Sequence, residues 1–253
     1  MLRTKFGVRS TLAAIVIAFA ATTAHTAPVH NIVLVHGAFV TGAGWKPVYD
    51  ILVRDGYRVS IAQHPLTSFA EDVSAVKRTL AMQDGPVVLV GHSYGGAIIT
   101  AAGNDERVVA LVYIAAHALD EGETEAANGK TYPNATKAVK KTDDGYLYLD
   151  PAFYPADFAA DLPKKQAQFE ADAQALTAAT VFTTPATHPA WKDKRSWYMV
   201  ARADRIINPD LERMYAKRAG SKTVEIDGAS HSVYQSHPAE VAAMIEAAAR
   251  STP

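Results

Sequence analysis

Val87-Val88-Leu89-Val90-Gly91-His92-Ser93-Tyr94-Gly95-Gly96 is the stretch that decides the fold. The four apolar residues 87–90 read as a strand buried on both faces. The G-x-S-x-G pattern follows at 91–95, and a helical pattern covers 94–102. Strand, motif and helix in direct succession force a tight turn that leaves Ser93 strained and exposed. A Cβ at Gly91 or Gly95 would clash across that turn. Gly96 and Ala97 then let the helix sit close to the sheet.

Outward from this stretch, short apolar, β-branched runs recur at 31–35, 57–62, 108–114, 197–201 and 223–226. Helical patterns fit between and after them at 47–54, 69–82, 209–218 and 238–250, with Pro209 and Pro238 placed as first-turn residues. Strands alternating with helices predict an α/β fold: a doubly wound, mostly parallel sheet of about six strands. Right-handed crossovers bring the strand C-terminal ends to one edge, where ligands bind. The core then spans 28–118 and 190–253. Residues 119–189 break the alternation, with a polar stretch, an aromatic patch and an Ala-rich helical pattern near 163–179. A structureless loop of that length is improbable, so this segment reads as an inserted, mainly helical cap.

A serine hydroxyl needs a base. Of nine histidines, His231 alone comes late enough and follows the last strand, in Asp227-Gly228-Ala229-Ser230-His231-Ser232. His117 is a secondary candidate just past another strand, and His92 is expected to point away from Ser93. The base needs a carboxylate to fix its tautomer. Asp204 is favoured because it follows 197–201 at the same edge; Asp120 is the rival and Asp227 a third choice. An oxyanion hole needs N–H donors. Tyr94 supplies one, and Ala38 or its neighbour Phe39 the other, from the loop Val35-His36-Gly37-Ala38-Phe39. Trp45 reads as packing for the following helix. Phe39, Tyr94, Tyr154, Phe158 and Trp191 are candidate substrate contacts, though cap aromatics could equally form the cap's own core.

Composition narrows the classes further. With Lys+Arg 25 against Asp+Glu 26, the chain has no basic footprint for nucleic acid. Zero cysteines exclude a disulfide framework, a thiolate metal site and a thiol nucleophile. Arg3, Lys5 and Arg9, an apolar run at 12–21 and small residues to Ala27 have the pattern of a secretory signal. We expect it at 1–24, cut after Ala24, because Pro28 disfavours a later cut. The apolar run is too short to span a bilayer, so the expected mature form is exported to the periplasm or medium and is not membrane-bound.

Val35-His36-Gly37-Ala38 with Gly44-Trp45, the 91–96 motif, Ala203-Asp204-Arg205 and Ser230-His231 resemble the α/β-hydrolase superfamily. More closely they resemble its branch of plant methyl-ester esterases, hydroxynitrile lyases and bacterial pyrethroid-hydrolase-type carboxylesterases. The resemblance covers nearly all of the chain after the signal. It implies a Ser-His-Asp site without metal or cofactor, beneath a helical cap, acting on a small-molecule ester, and it maps the triad onto Ser93, Asp204 and His231. The early antiparallel strands of larger members have no counterpart here. Lyases of this type carry Thr after the oxyanion-loop histidine and Lys after the catalytic one; here those positions hold Gly37 and Ser232.

Overall fold

The structure, a computed structural model, describes residues 1–2 and 29–251. Nearly all of the expected export signal therefore lies outside the described residues. In chain order, β1 (Asn31–Val35), α1 (Lys46–Arg54), β2 (Arg58–Ala62), α2 (Phe69–Ala81), β3 (Val87–Ser93), α3 (Tyr94–Ala102) and β4 (Val108–Ala116) build the first part of the core. The next segment carries α4 (Glu125–Thr131), β5 (Val139–Lys141), β6 (Tyr146–Leu149), α5 (Tyr154–Asp157), α6 (Lys164–Asp172) and β7 (Thr177–Ala178). The core closes with β8 (Arg195–Ala201), α7 (Pro209–Arg218), β9 (Lys222–Ile226), α8 (Val233–Ser236) and α9 (Pro238–Ser251).

The six core strands pair in the order β2-β1-β3-β4-β8-β9, all parallel. Alternate side chains of the central strands face opposite layers, and both layers are apolar. Ile32, Leu34, Val88 and Val90 pack with Val48 and Leu52 of α1 and with Val241 and Ile245 of α9. Val33, Val35 and Leu89 pack with Val76 and Leu80 of α2, Ile98 of α3 and Leu211 of α7. This two-sided burial is why the strands read as continuous apolar runs. From β1 the chain steps outward to β2 and then crosses back past β1 to β3 on its other side. The loop after β1 and the turn after β3 therefore meet at the strand ends, at the point where the winding reverses.

Between β4 and β8 the regular elements are mostly helical, as expected, with one addition. The segment contains a three-stranded antiparallel sheet, β5-β6-β7, beside its short helices. These strands are only 3, 4 and 2 residues long. β5 is wholly exposed, so no buried face imposes an alternating pattern on its sequence. The helix expected over 163–179 stops at Asp172. Beyond it Gln174 turns inward, accepting from Leu149 N–H and donating to Leu149 C=O, both at 2.8 Å.

A methyl group at Gly91 would stand 2.5 Å from the Gly95 carbonyl oxygen, whereas one at Gly129 in α4 would meet nothing within 4 Å. We expect Gly91→Ala to destabilise the fold by about 2–3 kcal/mol, the cost of overpacking against backbone that cannot yield. Gly129→Ala is expected to be neutral or stabilising, because alanine is the better helix former. Urea unfolding midpoints of the two variants check this.

Candidate active site

Ser93 ends β3 and opens α3 with φ 55° and ψ −125°, outside the regions that side chains favour. The strand beside it accommodates the turn. β4 carries a bulge at Ala115, φ 42°, so that His92 pairs with Ile114 and Ser93 with Ala116. Ser93 is buried but lines a cavity of about 350 Å³, within the size range of small-molecule sites. Gly37 packs directly under it; a Cβ there would lie 2.8 Å from the Ser93 Cβ.

His231 sits in the loop after β9, fully buried, with Nδ1 2.5 Å from Asp204 Oδ2. Asp204 is fixed in turn. Its Oδ1 accepts from the backbone N–H groups of Ile206 (2.7 Å) and Ile207 (2.9 Å). With Nδ1 donating to the carboxylate, the neutral imidazole carries its free lone pair on Nε2, which has no hydrogen-bond partner. The rival acids lie elsewhere. Asp120 pairs with Lys192, and Asp227, strongly exposed, pairs with Arg202.

His92 has a role that its position in the motif does not announce. Its Nε2–H donates to the His231 carbonyl at 2.9 Å. Its ring packs against those of His231 (4.7 Å) and Tyr234 (4.3 Å). The residue before Ser93 thus holds the loop that carries His231. The cap holds that loop from the other side. Asp161 accepts from the N–H and hydroxyl of Ser230, and the Phe158 carbonyl accepts from Ser232 N–H at 3.0 Å.

On the opposite loop, the expectation for Phe39 as an oxyanion donor fails. Its N–H is already given to Thr177 Oγ1 at 3.2 Å, and its carbonyl accepts from Ala175 N–H at 3.2 Å. Ala38 lines the cavity, and Tyr94, as the first residue of α3, has an N–H without an intrahelical acceptor. Both residues therefore stand beside the Ser93 turn.

Among the aromatic residues expected to touch substrate, the Phe39 ring lines the cavity, stacked at 6.0 Å on Phe182. The other four do not line it. The Tyr94 ring is buried with its hydroxyl donating to Asp72 Oδ2 at 2.7 Å. Phe158 is fully buried and packs edge-on against His231 at 4.7 Å, with Tyr154 stacked behind it. Trp191 donates from Nε1 to the Leu119 carbonyl at 2.9 Å. Two residues that were not expected as contacts, His117 and Glu125, do line the cavity. Among the described residues no group of three or more His, Cys, Asp or Glu is placed to hold a metal ion.

Burial sets the charge states around the site. It pushes the imidazoles of His36 and His117 down to about 3, and neighbouring His64 adds to the effect at His36. It holds His92 well below the usual range, with His231 adding to the shift. It raises Glu125 and Glu212 well above the usual carboxylate range, with the charge of Asp204 adding to the shift at Glu212. Unfolded imidazole titrates near ~6.5 and unfolded Glu near ~4.3. The stability from the three neutral histidines is therefore complete above ~6.5 and is lost as pH falls from there through their folded values. The stability from the two neutral glutamic acids is complete below ~4.3 and is lost as pH rises. Denaturant midpoints are expected to peak at roughly pH 6–7 and to fall on both sides, with Glu125→Gln flattening the alkaline limb. A midpoint constant from pH 5 to 9 would contradict these assignments.

Comparison with known proteins agrees with this architecture. A profile of the alpha/beta hydrolase family matches residues 32–244. The alpha/beta hydrolase nvfD of Aspergillus novofumigatus is 27% identical over 206 residues, covering 73% of this chain and 80% of that protein. A pyrethroid hydrolase of Sphingobium wenxiniae is 29% identical over 136 residues, 46% of this chain and 49% of that protein. Among solved structures, a pyrethroid hydrolase from Sphingobium faniae superposes with a TM-score of 0.76 at 23% identity, over 87% of this chain and 97% of that one. A methylesterase from Arabidopsis gives 0.71 at 18% identity, over 87% and 98%. The profile match runs from β1 into α9 and takes in both loops and the turn that meet at the cavity, so the chain belongs to the alpha/beta hydrolase family.

Proposed function

We propose that the protein is an exported carboxylic-ester hydrolase acting on small to medium molecules through Ser93, His231 and Asp204. The observation that carries the reading is the His231–Asp204 pair, its Nε2 unpartnered, on the loop tied by His92 to the turn bearing Ser93. In the first step Ser93 Oγ attacks the ester carbonyl carbon while His231 Nε2 takes the hydroxyl proton. The N–H groups of Tyr94 and Ala38 hold the oxyanion. As the intermediate collapses, the carbon–oxygen bond to the alcohol breaks and the alcohol leaves with the proton from His231. Water, deprotonated by the same imidazole, then releases the acid and restores Ser93. Asp204 keeps Nδ1 protonated, so that Nε2 is the basic nitrogen throughout.

Related pyrethroid hydrolases and methylesterases support the ester class. Cyanide elimination is disfavoured because a buried serine, Ser232, follows His231 where a lyase of this type has a cation. The decisive assay is hydrolysis of p-nitrophenyl esters from acetate to decanoate. Ser93→Ala is expected to abolish turnover with the fold intact, and Asp204→Asn to lower kcat by about 10³–10⁴-fold. Unchanged turnover in the Ser93 variant would place the nucleophile elsewhere. For export, N-terminal sequencing of protein recovered from periplasm or medium is expected to begin at His25; full-length chain confined to the cytoplasm would overturn that part.

A further inference from the structure

The cavity beside Ser93 opens through a single stretch of chain. Of the residues that line it, the exposed ones are Lys130, Pro133, Asn134, Lys137 and Val139; the rest, Ser93 among them, are buried or half-buried. The mouth therefore lies between the last turn of α4 and the start of β5, and the cavity runs from there inward to the nucleophile. Its inner wall is mostly apolar, with Phe39, Leu147, Leu149, Phe182, Ile207 and Leu211.

The loop after β8 holds this stretch in place. The Arg205 carbonyl accepts from Ala135 N–H at 3.1 Å and from Thr136 N–H at 2.9 Å, and Asn208 Nδ2 donates to the Pro133 carbonyl at 3.0 Å. Asp157, the carboxylate bonded to the stretch, is already committed: it accepts from Thr136 Oγ1 at 2.6 Å and from Arg205 Nε at 2.7 Å. Among the described residues, the side chains of Lys130 and Lys137 have no ion-pair or hydrogen-bond partner. The other titratable groups of the lining, His117 and Glu125, lie 3.2 Å apart, and burial favours the neutral form of each. Two positive charges thus stand unneutralised at the mouth, on a chain whose net charge is -1.

We propose that this mouth selects anionic esters: the preferred substrate lays an apolar stretch along the inner wall and presents an anionic group, such as a terminal carboxylate, to Lys130 and Lys137. Low-dielectric walls focus the field of the two ammonium groups and raise the local concentration of anions. Each exposed ammonium is worth only a few-fold, and salt screens it. The proposal rests on the ester-hydrolase reading for the bond that is cleaved, but not for the recognition of charge. If the lysines served only to keep the cap hydrated, they would not discriminate between a charged and a neutral ester of the same shape.

The test compares monomethyl suberate with the same methyl ester bearing a terminal carboxamide, which matches its shape without the charge. At low salt the carboxylate ester is expected to give a kcat/KM about five- to tenfold higher, falling to about twofold or less in about 0.5 M sodium chloride. Lys130→Gln with Lys137→Gln is expected to abolish the advantage, and Lys130→Glu with Lys137→Glu to reverse it. Equal kcat/KM for the two esters, or an advantage that survives the Gln pair or high salt, overturns the proposal. Should either pair fail to fold, the salt dependence of the native protein decides alone. The two readings fail separately. Equal hydrolysis of both esters sinks the charged mouth and leaves the hydrolase. Where neither ester is cleaved, calorimetric binding of the same two compounds to the Ser93→Ala protein decides. Tighter binding of the carboxylate, lost in the Gln pair, leaves the mouth standing without the hydrolase, and equal binding or none sinks it.

Discussion

Everything at the strand ends depends on one close approach: the backbone at Gly95, in the first turn of α3, lies so near Gly91, two residues before the end of β3, that no Cβ fits between them. That contact allows the chain to reverse over a single residue, and it puts that residue, Ser93, at φ 55°. The strain is held because the flanking elements are deeply buried, with β3 and nearly all of α3 in the core. The bulge at Ala115 belongs to the same solution. It lets β4 keep its pairing with β3 while the Ser93 carbonyl turns to accept from His117.

The inserted segment between β4 and β8 does more than roof the cavity. Its residues bind the backbone of both loops that flank Ser93. Thr177 and Ala175 take the N–H and carbonyl of Phe39 in the loop after β1. Asp161 and the Phe158 carbonyl take the donors of Ser230 and Ser232 around His231. Phe158 then closes the side of the imidazole with its ring edge. Substitutions in the cap therefore act on the geometry of the reacting groups as well as on the shape of the cavity. Phe158, packed on His231 with Tyr154 behind it, acts on that geometry without lining the cavity.

The core was legible because its physics is local and periodic. Runs buried on two faces, a Pro at the first turn of α7 and of α9, and glycines at the tight turn each leave a mark within ten residues. Ser93, Asp204 and His231 could be singled out because each follows a strand that ends at the same edge. The cap strands left no mark: β7 is two residues long, and β5 has no buried side. The aromatic residues misled for a related reason. Tyr154, Phe158 and Trp191 show that a ring belongs to an interior, but composition does not say whether that interior is the cavity or the packing behind it. The expectation for Phe39 as a donor failed because the competing acceptor, Thr177, lies 138 positions away in sequence. Glu125 escaped notice because only its pairing with His117 in space makes it unusual, and His117, a secondary candidate for the base, is paired with Glu125 instead.

A second buried web ties the loop after β1 to the start of α3. Asp72 of α2 accepts from the Tyr94 hydroxyl through Oδ2 and from Leu66 N–H through Oδ1, and it lies 3.4 Å from His64 Nδ1. His64 donates from Nε2 to the His36 carbonyl, and the two rings stack at 3.8 Å. His36 in turn donates from Nδ1 to Gly37 O at 2.9 Å, one residue before Ala38. The loop before Ala38 and the helix that opens with Tyr94 thus share one carboxylate as their common anchor. Both segments are positioned through buried side chains. In the proposed ester hydrolysis this web is what holds the Ala38 and Tyr94 N–H groups in place as charge develops on the substrate oxygen.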